Sequence, residues 1–243
     1  NKERARNVVK ILESLKTTST KKKLFKKDKI KILTVIPIKG KTTFFDKTSL
    51  LELTIQSATQ NNFNNEVVVL TDNKDTANLC KKFNNVSSII RPVFLSNKFI
   101  SEQELLDFTV KELEKRNKFY DVIVSMKETY PFRSIDLIDK MINKMMSKGF
   151  DTIFAGKVER RNVWSVDIKK KTNVSIDNFI PRDLREKKSV ISLFGLCSIT
   201  YPWTIKTGDM FKNKNVGIYE IKNNLSSIEV RDNAGLKIVK KLI

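Results

Sequence analysis

Histidine is absent from all 243 residues of the chain. Its absence excludes serine-type triads that use an imidazole base, histidine zinc sites and phosphohistidine chemistry. Any catalysis must therefore use carboxylates, lysines, arginines, hydroxyls, backbone groups or a metal ion. Transfer reactions on nucleotides suit this inventory, because phosphoryl chemistry depends mainly on positioning and charge neutralisation.

Cysteines and long apolar runs are also scarce. The two cysteines, Cys80 and Cys197, are far apart and form no metal-spaced cluster, so we expect reduced core thiols in a cytoplasmic protein. No run of about eighteen apolar residues occurs. The first residues lack the apolar segment of a signal peptide, so the sequence predicts neither a membrane span nor export.

Glycine is also scarce, with 7 copies in the chain. Its scarcity restricts which phosphate-binding motifs could follow the first predicted strand, in "KILTVIPIKGKTTFFDKTSLLELTI" from Lys31 to Ile55. A Walker A loop needs a glycine where Val35 stands, and the single glycine of this loop, Gly40, cannot form the Rossmann fingerprint. Pro37 predicts that the strand does not continue as a central strand. A phosphate-binding loop of another kind and a solvated basic turn both remain open.

The formal net charge is +20, from 47 basic and 27 acidic side chains. A basic surface attracts polyanions, but the lysines are scattered and no RNA-binding motif interleaves them with aromatics. The composition therefore does not favour nucleic acid as a partner. The densest basic run, "KKKLFKKDKIK" from Lys21 to Lys31, predicts a solvated linker, with contact to a polyanion as the alternative.

The pattern of apolar residues divides the chain into two regions. Residues 1–28 predict an amphipathic helix over 3–16 and a basic linker, and the apolar face of the helix carries Val8, Val9, Ile11, Leu12 and Leu15. This helix could dock on the main domain, bind a partner or be the remnant of a longer chain. Residues 29–243 predict one α/β domain.

In residues 29–159, buried-type strands alternate with amphipathic helices. This alternation predicts a doubly wound, mostly parallel sheet with helices on both faces, and ligands are expected beyond the carboxyl ends of its strands. Those ends carry Lys39–Thr43, Thr71–Asp72 and Lys127–Arg133. After Glu159 shorter strands predict a sheet extension or a lid, followed by a C-terminal helix.

Several residues could either bind a ligand or have a purely structural role. Asp72 suits a ribose hydroxyl or a metal, and equally a plain turn. Arg133, before a helix capped near Ser134, suits an anionic ligand, with structural capping as the alternative. Arg160 and Arg161 could meet a substrate carboxylate or be ordinary surface charges.

The order of these segments resembles that of the acylneuraminate cytidylyltransferases, the CMP-sialic acid synthetases. The shared order is a strand with Pro-x-basic-Gly, "LLELTIQSA", "VVVLTD", "RPVFLS" and "YDVIVSMKETYPFRSIDLIDKMI", over residues 30–243. Thr129, Pro131 and Arg133 match best. The resemblance implies a nucleotide-diphospho-sugar transferase-like fold, a possible homodimer, and CMP transfer from CTP to an acidic sugar for surface glycans.

The same resemblance implies roles for individual residues. Lys39, Lys41 and Arg133 would act in catalysis. Gly40, Thr42, Lys47, Asp72, Arg91, Lys127 and Thr129 would bind CTP or the sugar. Magnesium would bridge phosphates and carboxylates, with Glu229 and Asp232 as its protein ligands.

The chain departs from the family pattern in four places. Lys39 replaces an arginine, the first loop is about eight residues shorter, and Lys127-Glu128 replaces Gln-Pro. In "SIEVRDNAG" Arg231 takes the place of the second metal-binding carboxylate. These departures leave a catalytically impaired nucleotide-binding or sugar-nucleotide-binding homologue as an alternative, and a polyanion-binding module as a second one.

Overall fold

The computed structural model of the chain describes residues 30–97, 99–159, 164–167, 172–175, 181, 189–208, 210 and 215–243. The predicted helix over residues 3–16, residues 21–29 of the basic run, and the pair Arg160 and Arg161 lie outside these residues.

Strands and helices alternate through the first half of the domain, as predicted. The strands are β1 (Lys31–Ile38), β2 (Phe44–Phe45), β3 (Thr48–Ser49), β4 (Asn64–Thr71), β5 (Val86–Ile90), β6 (Val122–Ser125), β7 (Thr152–Glu159), β8 (Trp164–Asp167), β9 (Thr172–Ser175), β10 (Ser189–Ser192), β11 (Ser198–Thr200) and β12 (Val216–Glu220). The helices are α1 (Leu50–Thr59), α2 (Lys74–Leu79), α3 (Glu102–Glu114), α4 (Leu137–Lys148), α5 (Pro202–Lys206) and α6 (Asn233–Leu242). No helix of the described residues is both long and apolar enough to cross a membrane.

The main sheet has eight strands in the order β10-β7-β11-β6-β1-β4-β5, with β12 paired to β7. Strands β6, β1, β4 and β5 run parallel to one another, and β12 runs parallel to β7. Strands β10 and β11 are antiparallel to their partners. The predicted fold class, a doubly wound and mostly parallel α/β sheet, is confirmed.

Helices cover both faces of the sheet, which explains the continuous apolar sequence of β1. Ile32 and Ile36 pack in a core with residues of α1 and α4, whereas Leu33 and Val35 pack with residues of α3 on the opposite face. All four side chains have 0% exposure. Each such burial contributes about 1.5–3 kcal/mol to the hydrophobic stabilisation of the fold.

Capping boxes begin two of the helices. The predicted capping box of Ser101 and Glu104 starts α3, and Ser49 with Glu52 forms another before α1. The expected cap of α4 near Ser134 is wrong, since this helix starts at Leu137 after Asp136. Residues 131–134 stay outside the helix, which lets the loop before α4 fold back against the sheet.

Pro37 lies near the end of β1, where the strand no longer continues as a central strand, as the sequence predicted. Its register partner on β4 is Leu70. Pairing of β1 with β6 stops at Val35 and Ser125, so β1 has a strand neighbour on one side only at Pro37. Proline is tolerated where one edge of a strand is free of ladder hydrogen bonds.

Both cysteines are buried and free, as predicted. Burial raises the pKa of the Cys80 thiol to about 11 and that of Cys197 to about 12. The thiols therefore stay protonated at neutral pH and act as small apolar core groups.

Candidate functional site

Three loops follow three adjacent strands at the same edge of the sheet. The first loop (residues 39–43) follows β1, the second loop (residues 72–73) follows β4, and the third loop (residues 126–136) follows β6. Because β6, β1 and β4 are parallel neighbours, their carboxyl ends bring the loops together.

The first loop is fastened to the second loop through Gly40. The backbone N–H of Gly40 donates to Asp72 Oδ1 at 2.6 Å, and its carbonyl accepts from Thr76 Oγ1 at 3.1 Å. Gly40 has φ +73°, a left-handed conformation that strains other residues. Glycine at this position therefore lets the basic loop turn sharply while both of its backbone groups are held.

Asp72 also pairs with Arg91, the residue that follows β5. The Arg91 Nη2–Asp72 Oδ2 distance is 3.1 Å, and Arg91 is 6% exposed. Burial by itself raises the pKa of Asp72, but the hydrogen bond from Gly40 and the nearby guanidinium outweigh it and hold the pKa below its ordinary value. The contacts of Asp72 thus connect the first loop, the second loop and the end of β5.

The first and third loops meet at Thr42 and Glu128. The Thr42 hydroxyl donates to Glu128 Oε2 at 2.5 Å and accepts from the backbone N–H of Leu51 in the first turn of α1 at 3.3 Å. Burial raises the pKa of Glu128, against a smaller lowering by the Thr42 hydroxyl. Our sequence reasoning did not place Glu128 in the site, although a carboxylate beyond a strand end was a visible signal.

Lys127 lies on the side of the third loop that faces α3. Its Nζ is 3.0 Å from Glu102 Oε2, and Glu102 Oε1 accepts from the Ser125 hydroxyl at 2.7 Å. The pair borders a cleft of about 340 Å³, lined among the described residues by Ser101, Glu102, Gln103, Lys127, Phe194, Ser198 and Met210. The hydroxyl of Ser198 is buried there without a hydrogen-bond partner among the described residues.

Arg133 points into the protein, whereas the sequence predicted that it contacts the substrate. Nε donates to the Leu196 carbonyl at 2.8 Å. Nη1 donates to the Tyr130 carbonyl and, at 3.2 Å, to Thr54 Oγ1, and Nη2 donates to the Lys127 carbonyl and, at 3.1 Å, to that of Gly195. All five guanidinium N–H groups thus have protein acceptors. Arg133 is consequently a structural clamp of the third loop in this arrangement.

The side chain of Arg133 remains charged at neutral pH. Burial lowers the pKa of its guanidinium, to about 10. A buried cation that donates only to neutral groups is stabilised by those hydrogen bonds, so the shape of the third loop depends on them.

Glu229 and Asp232, the magnesium ligands that the resemblance implied, both have protein partners in this arrangement. Glu229 Oε2 accepts from Arg231 Nη2 at 2.6 Å and Nε at 2.7 Å, and Oε1 is 3.4 Å from Thr129 Oγ1. Asp232 Oδ1 caps α6 by accepting from the Gly235 N–H at 2.8 Å. Within the described ranges, no group of three or more His, Cys, Asp or Glu side chains could hold a metal.

The capping role of Asp232 makes a testable prediction. Asp232→Ala should lower the free energy of unfolding by about 1 kcal/mol, because the first turn of α6 loses its side-chain acceptor. Urea denaturation with and without millimolar Mg²⁺ measures this loss, because a bound ligand stabilises the folded state. An equal loss in both conditions supports the cap, and a loss seen only with Mg²⁺ contradicts it in favour of a metal ligand.

The remaining cations of the predicted site are exposed. Lys41 Nζ is 3.0 Å from Asp75 Oδ2, but both side chains are more than two thirds exposed, so this ion pair is weak. Lys39 in the first loop and Lys47 in the β2–β3 turn have no ion-pair partner among the described residues. The first loop thus presents lysines to solvent on a rigidly held turn, an arrangement that can receive an anion.

Comparison with solved structures places the chain in a known fold. It aligns with a CMP:2-keto-3-deoxy-manno-octonic acid synthetase complexed with CTP at a TM-score of 0.63 and 12% identity, over 87% of this chain and 98% of that one. It also aligns with the 4-diphosphocytidyl-2C-methyl-D-erythritol synthase of Anaerococcus prevotii at 0.64 and 12%, over 88% and 96% of the two chains. Another synthase of that name gives 0.65 and 10%, over 88% and 99%.

These alignments establish a shared fold over nearly the whole length of each chain compared. No protein-family model matches the sequence. No curated protein matches it either. At these levels of identity the function has to be argued from the site itself.

Proposed function

We propose that the protein is a nucleotidyltransferase that moves CMP from CTP to an acidic sugar of the nonulosonic type and releases pyrophosphate. The observation that carries this proposal is the meeting of three strand-end loops at one sheet edge, where Gly40 holds a lysine-bearing turn in place. The fold shared with two kinds of CTP-using synthase supports it.

The first loop would hold the triphosphate. Lys39 and Lys41 would neutralise phosphate charge, while hydrogen bonds from the protein hold Gly40 and its turn in place. The acceptor hydroxyl would attack the α-phosphorus, the new P–O bond would form, and the bond from the α-phosphorus to the bridging oxygen would break as pyrophosphate leaves. No covalent enzyme intermediate is needed.

The cleft beside Lys127 would receive the acceptor. It lies next to the third loop, and Lys127 supplies a cation among its described lining residues. Phe194 and Met210 provide apolar surface for the carbon skeleton of a sugar. The proposed acceptor is a sugar acid because its carboxylate could compete with Glu102 for the ammonium group of Lys127.

Pyrophosphate release tests the proposed function. Purified protein with CTP and Mg²⁺ should release pyrophosphate when N-acetylneuraminic acid is added, with chelation of Mg²⁺ as a comparison. The eight-carbon 2-keto-3-deoxyoctonate tests a sugar acid outside the nonulosonic class, and turnover with it alone would keep the acidic sugar and contradict the nonulosonic type. A phosphorylated polyol of the methylerythritol type serves as an acceptor that is not a sugar acid. Turnover with that acceptor alone would keep CMP transfer and contradict the sugar acid, and no turnover with any acceptor would contradict transfer.

Lys39 gives a prediction for nucleotide affinity. Lys39→Ala should weaken CTP binding about 10-fold to 100-fold, because a charge-assisted contact to phosphate is lost. Lys39→Arg should bind CTP at least as tightly as the wild type, since a guanidinium can make two parallel hydrogen bonds to phosphate. Isothermal titration of CTP measures both constants.

The control for Lys39 is Lys148→Ala in the exposed last turn of α4, which removes an equal charge close to the start of β7, away from the strand ends that carry the three loops. Equal weakening by both variants would indicate a general charge effect of the +20 protein and would contradict a specific phosphate contact.

A catalytically impaired homologue is the second candidate. The observation in its favour is that Arg133 and Glu229, two residues the resemblance assigned to the reaction, have their polar atoms occupied by protein partners. In that case CTP would bind with ordinary affinity, and pyrophosphate release would stay at the level of a blank for every acceptor.

A further inference from the structure

Glu128 is the carboxylate at the junction of the first and third loops. One oxygen, Oε2, accepts from the Thr42 hydroxyl at 2.5 Å, and no described residue donates a hydrogen bond to the other oxygen. Its chain neighbour Lys127 lines the cleft beside α3. Glu128 therefore contacts the loop proposed for the triphosphate and directly follows a residue that lines the cleft proposed for the acceptor.

We infer that Glu128 is the general base of the transfer, which takes the proton from the acceptor hydroxyl as that oxygen attacks the α-phosphorus of CTP. This inference rests on the proposed function. In the step, the acceptor O–H bond breaks and its proton goes to the free carboxylate oxygen of Glu128. The new O–P bond forms, the bond from the α-phosphorus to the bridging oxygen breaks, and its electron pair leaves with pyrophosphate.

A general base must be ionised when substrate binds and must have a pKa close to the working pH. Burial raises the pKa of Glu128 from its ordinary value toward that range, and the Thr42 hydroxyl, which stabilises the ionised form, limits the rise. A partly buried carboxylate of this kind differs from the solvated surface glutamates of the chain, which suits a role in proton transfer.

The charged groups of the elements around Glu128 mostly have partners of their own. They are Lys41 with Asp75, Glu52 with Ser49, Lys127 with Glu102, Arg133 with backbone carbonyls and Glu229 with Arg231, while Lys39 is exposed. The environment that sets the titration of Glu128 is thus burial and one hydroxyl, and no ion pair neutralises it.

A purely structural role for Glu128, as the hydrogen-bond acceptor of Thr42, predicts different results from a role as general base. A structural role would affect the position of the first loop and hence the affinity for CTP. A base matters for turnover and for its dependence on pH. The readouts are therefore the CTP dissociation constant, kcat, and the pH profile of kcat.

Glu128→Gln tests the inference, with CTP, Mg²⁺ and whichever sugar acid the wild type uses fastest. We expect kcat to fall about 10²-fold to 10⁴-fold while the CTP dissociation constant changes by less than about 3-fold. The wild-type kcat should rise with pH as Glu128 ionises and then level off, and Glu128→Gln should lack this acid limb.

Two further variants separate proton transfer from folding. Glu128→Asp keeps a carboxylate that is one methylene shorter, so it should retain an acid limb at reduced kcat. Thr42→Val removes a hydrogen bond to the ionised form and should therefore move the limb to higher pH. Glu112→Gln, at a partly exposed position of α3 where Glu112 pairs with Lys115, is the control and should leave kcat and its profile unchanged.

The outcomes distinguish this inference from the proposed function. Wild-type turnover with an equally active Glu128→Gln, or with an unchanged acid limb in that variant, overturns the base and leaves CMP transfer standing. Weakened CTP binding in both Glu128→Gln and Thr42→Val, with kcat at saturating CTP preserved, also overturns the general base and indicates that Glu128 only holds the first loop in place. If the wild type itself releases no pyrophosphate with any acceptor, the proposed function fails and the base role fails with it.

Discussion

Replacing Arg133 with alanine is expected to lower the free energy of unfolding by about 3–5 kcal/mol. The guanidinium donates to four backbone carbonyls and to Thr54, and these acceptors come from the third loop, α1 and the turn before β11. Alanine leaves the buried carbonyls without donors and removes the link among the three segments. Equilibrium urea denaturation measures the loss.

Arg133→Lys should recover only part of this stability, because an ammonium has three donors without the planar arrangement of five. Arg116→Lys, at an exposed position just after α3, is the matched control and should change stability by less than about 0.5 kcal/mol. A stable Arg133→Ala protein that has lost only its transfer activity would contradict the clamp and restore the substrate contact expected from the sequence.

Replacing Asp72 with alanine is the second substitution with a large expected effect. It should cost about 3 kcal/mol of unfolding free energy, because Arg91 stays buried without a carboxylate partner. Gly40 also loses the acceptor of its N–H, so the first loop should become mobile and CTP binding should weaken at least about tenfold. Urea denaturation and CTP titration give the two values.

Asp72→Asn separates these two contributions. An amide oxygen can still accept from the Gly40 N–H, but the negative charge beside Arg91 is gone. We therefore expect most of the stability loss and little of the CTP loss. The reverse result, normal stability with lost CTP binding, would show that Asp72 contacts the nucleotide directly and would contradict the fastening role.

The pH dependence of stability provides a further check on Asp72. Its pKa in the folded protein is below the ordinary value of 3.8, so the folded state favours the ionised form. The corresponding stabilisation is fully present above that ordinary value and is lost as the pH falls through the lower folded value. Asp72→Asn should therefore lose less stability on acidification than the wild type, and an equal loss would contradict this.

The sequence was sufficient to predict the sheet and its loops. Alternation of apolar strands such as "KILTVIPI" and "EVVVLT" with amphipathic helices depends on local periodicity, which residues near in the chain determine. The carboxyl ends of parallel neighbours always share an edge, so the meeting of residues 39–43, 72 and 127–133 followed from the topology. The capping box at Ser101 and the burial of both cysteines were likewise predicted from local sequence patterns.

The directions of the site side chains could not be predicted in this way. Arg133 looked like an anion ligand, yet it donates to carbonyls more than 60 residues away in the chain. Glu229 has the register of a metal ligand, and Arg231 and Thr129 take its oxygens. In the sequence Glu128 is only a departure from the Gln-Pro of the family's third loop. Its contact with Thr42, 86 residues away, makes it a candidate general base.

By itself, then, the amino-acid sequence determined the α/β class, the strand-end position of the three candidate loops and the lack of an imidazole among the side chains. Only the tertiary structure decided which cations face solvent and which are clamps. The physical reason is that burial and hydrogen-bond partners decide the role of a polar side chain, and these come from segments distant in sequence that the sheet brings together.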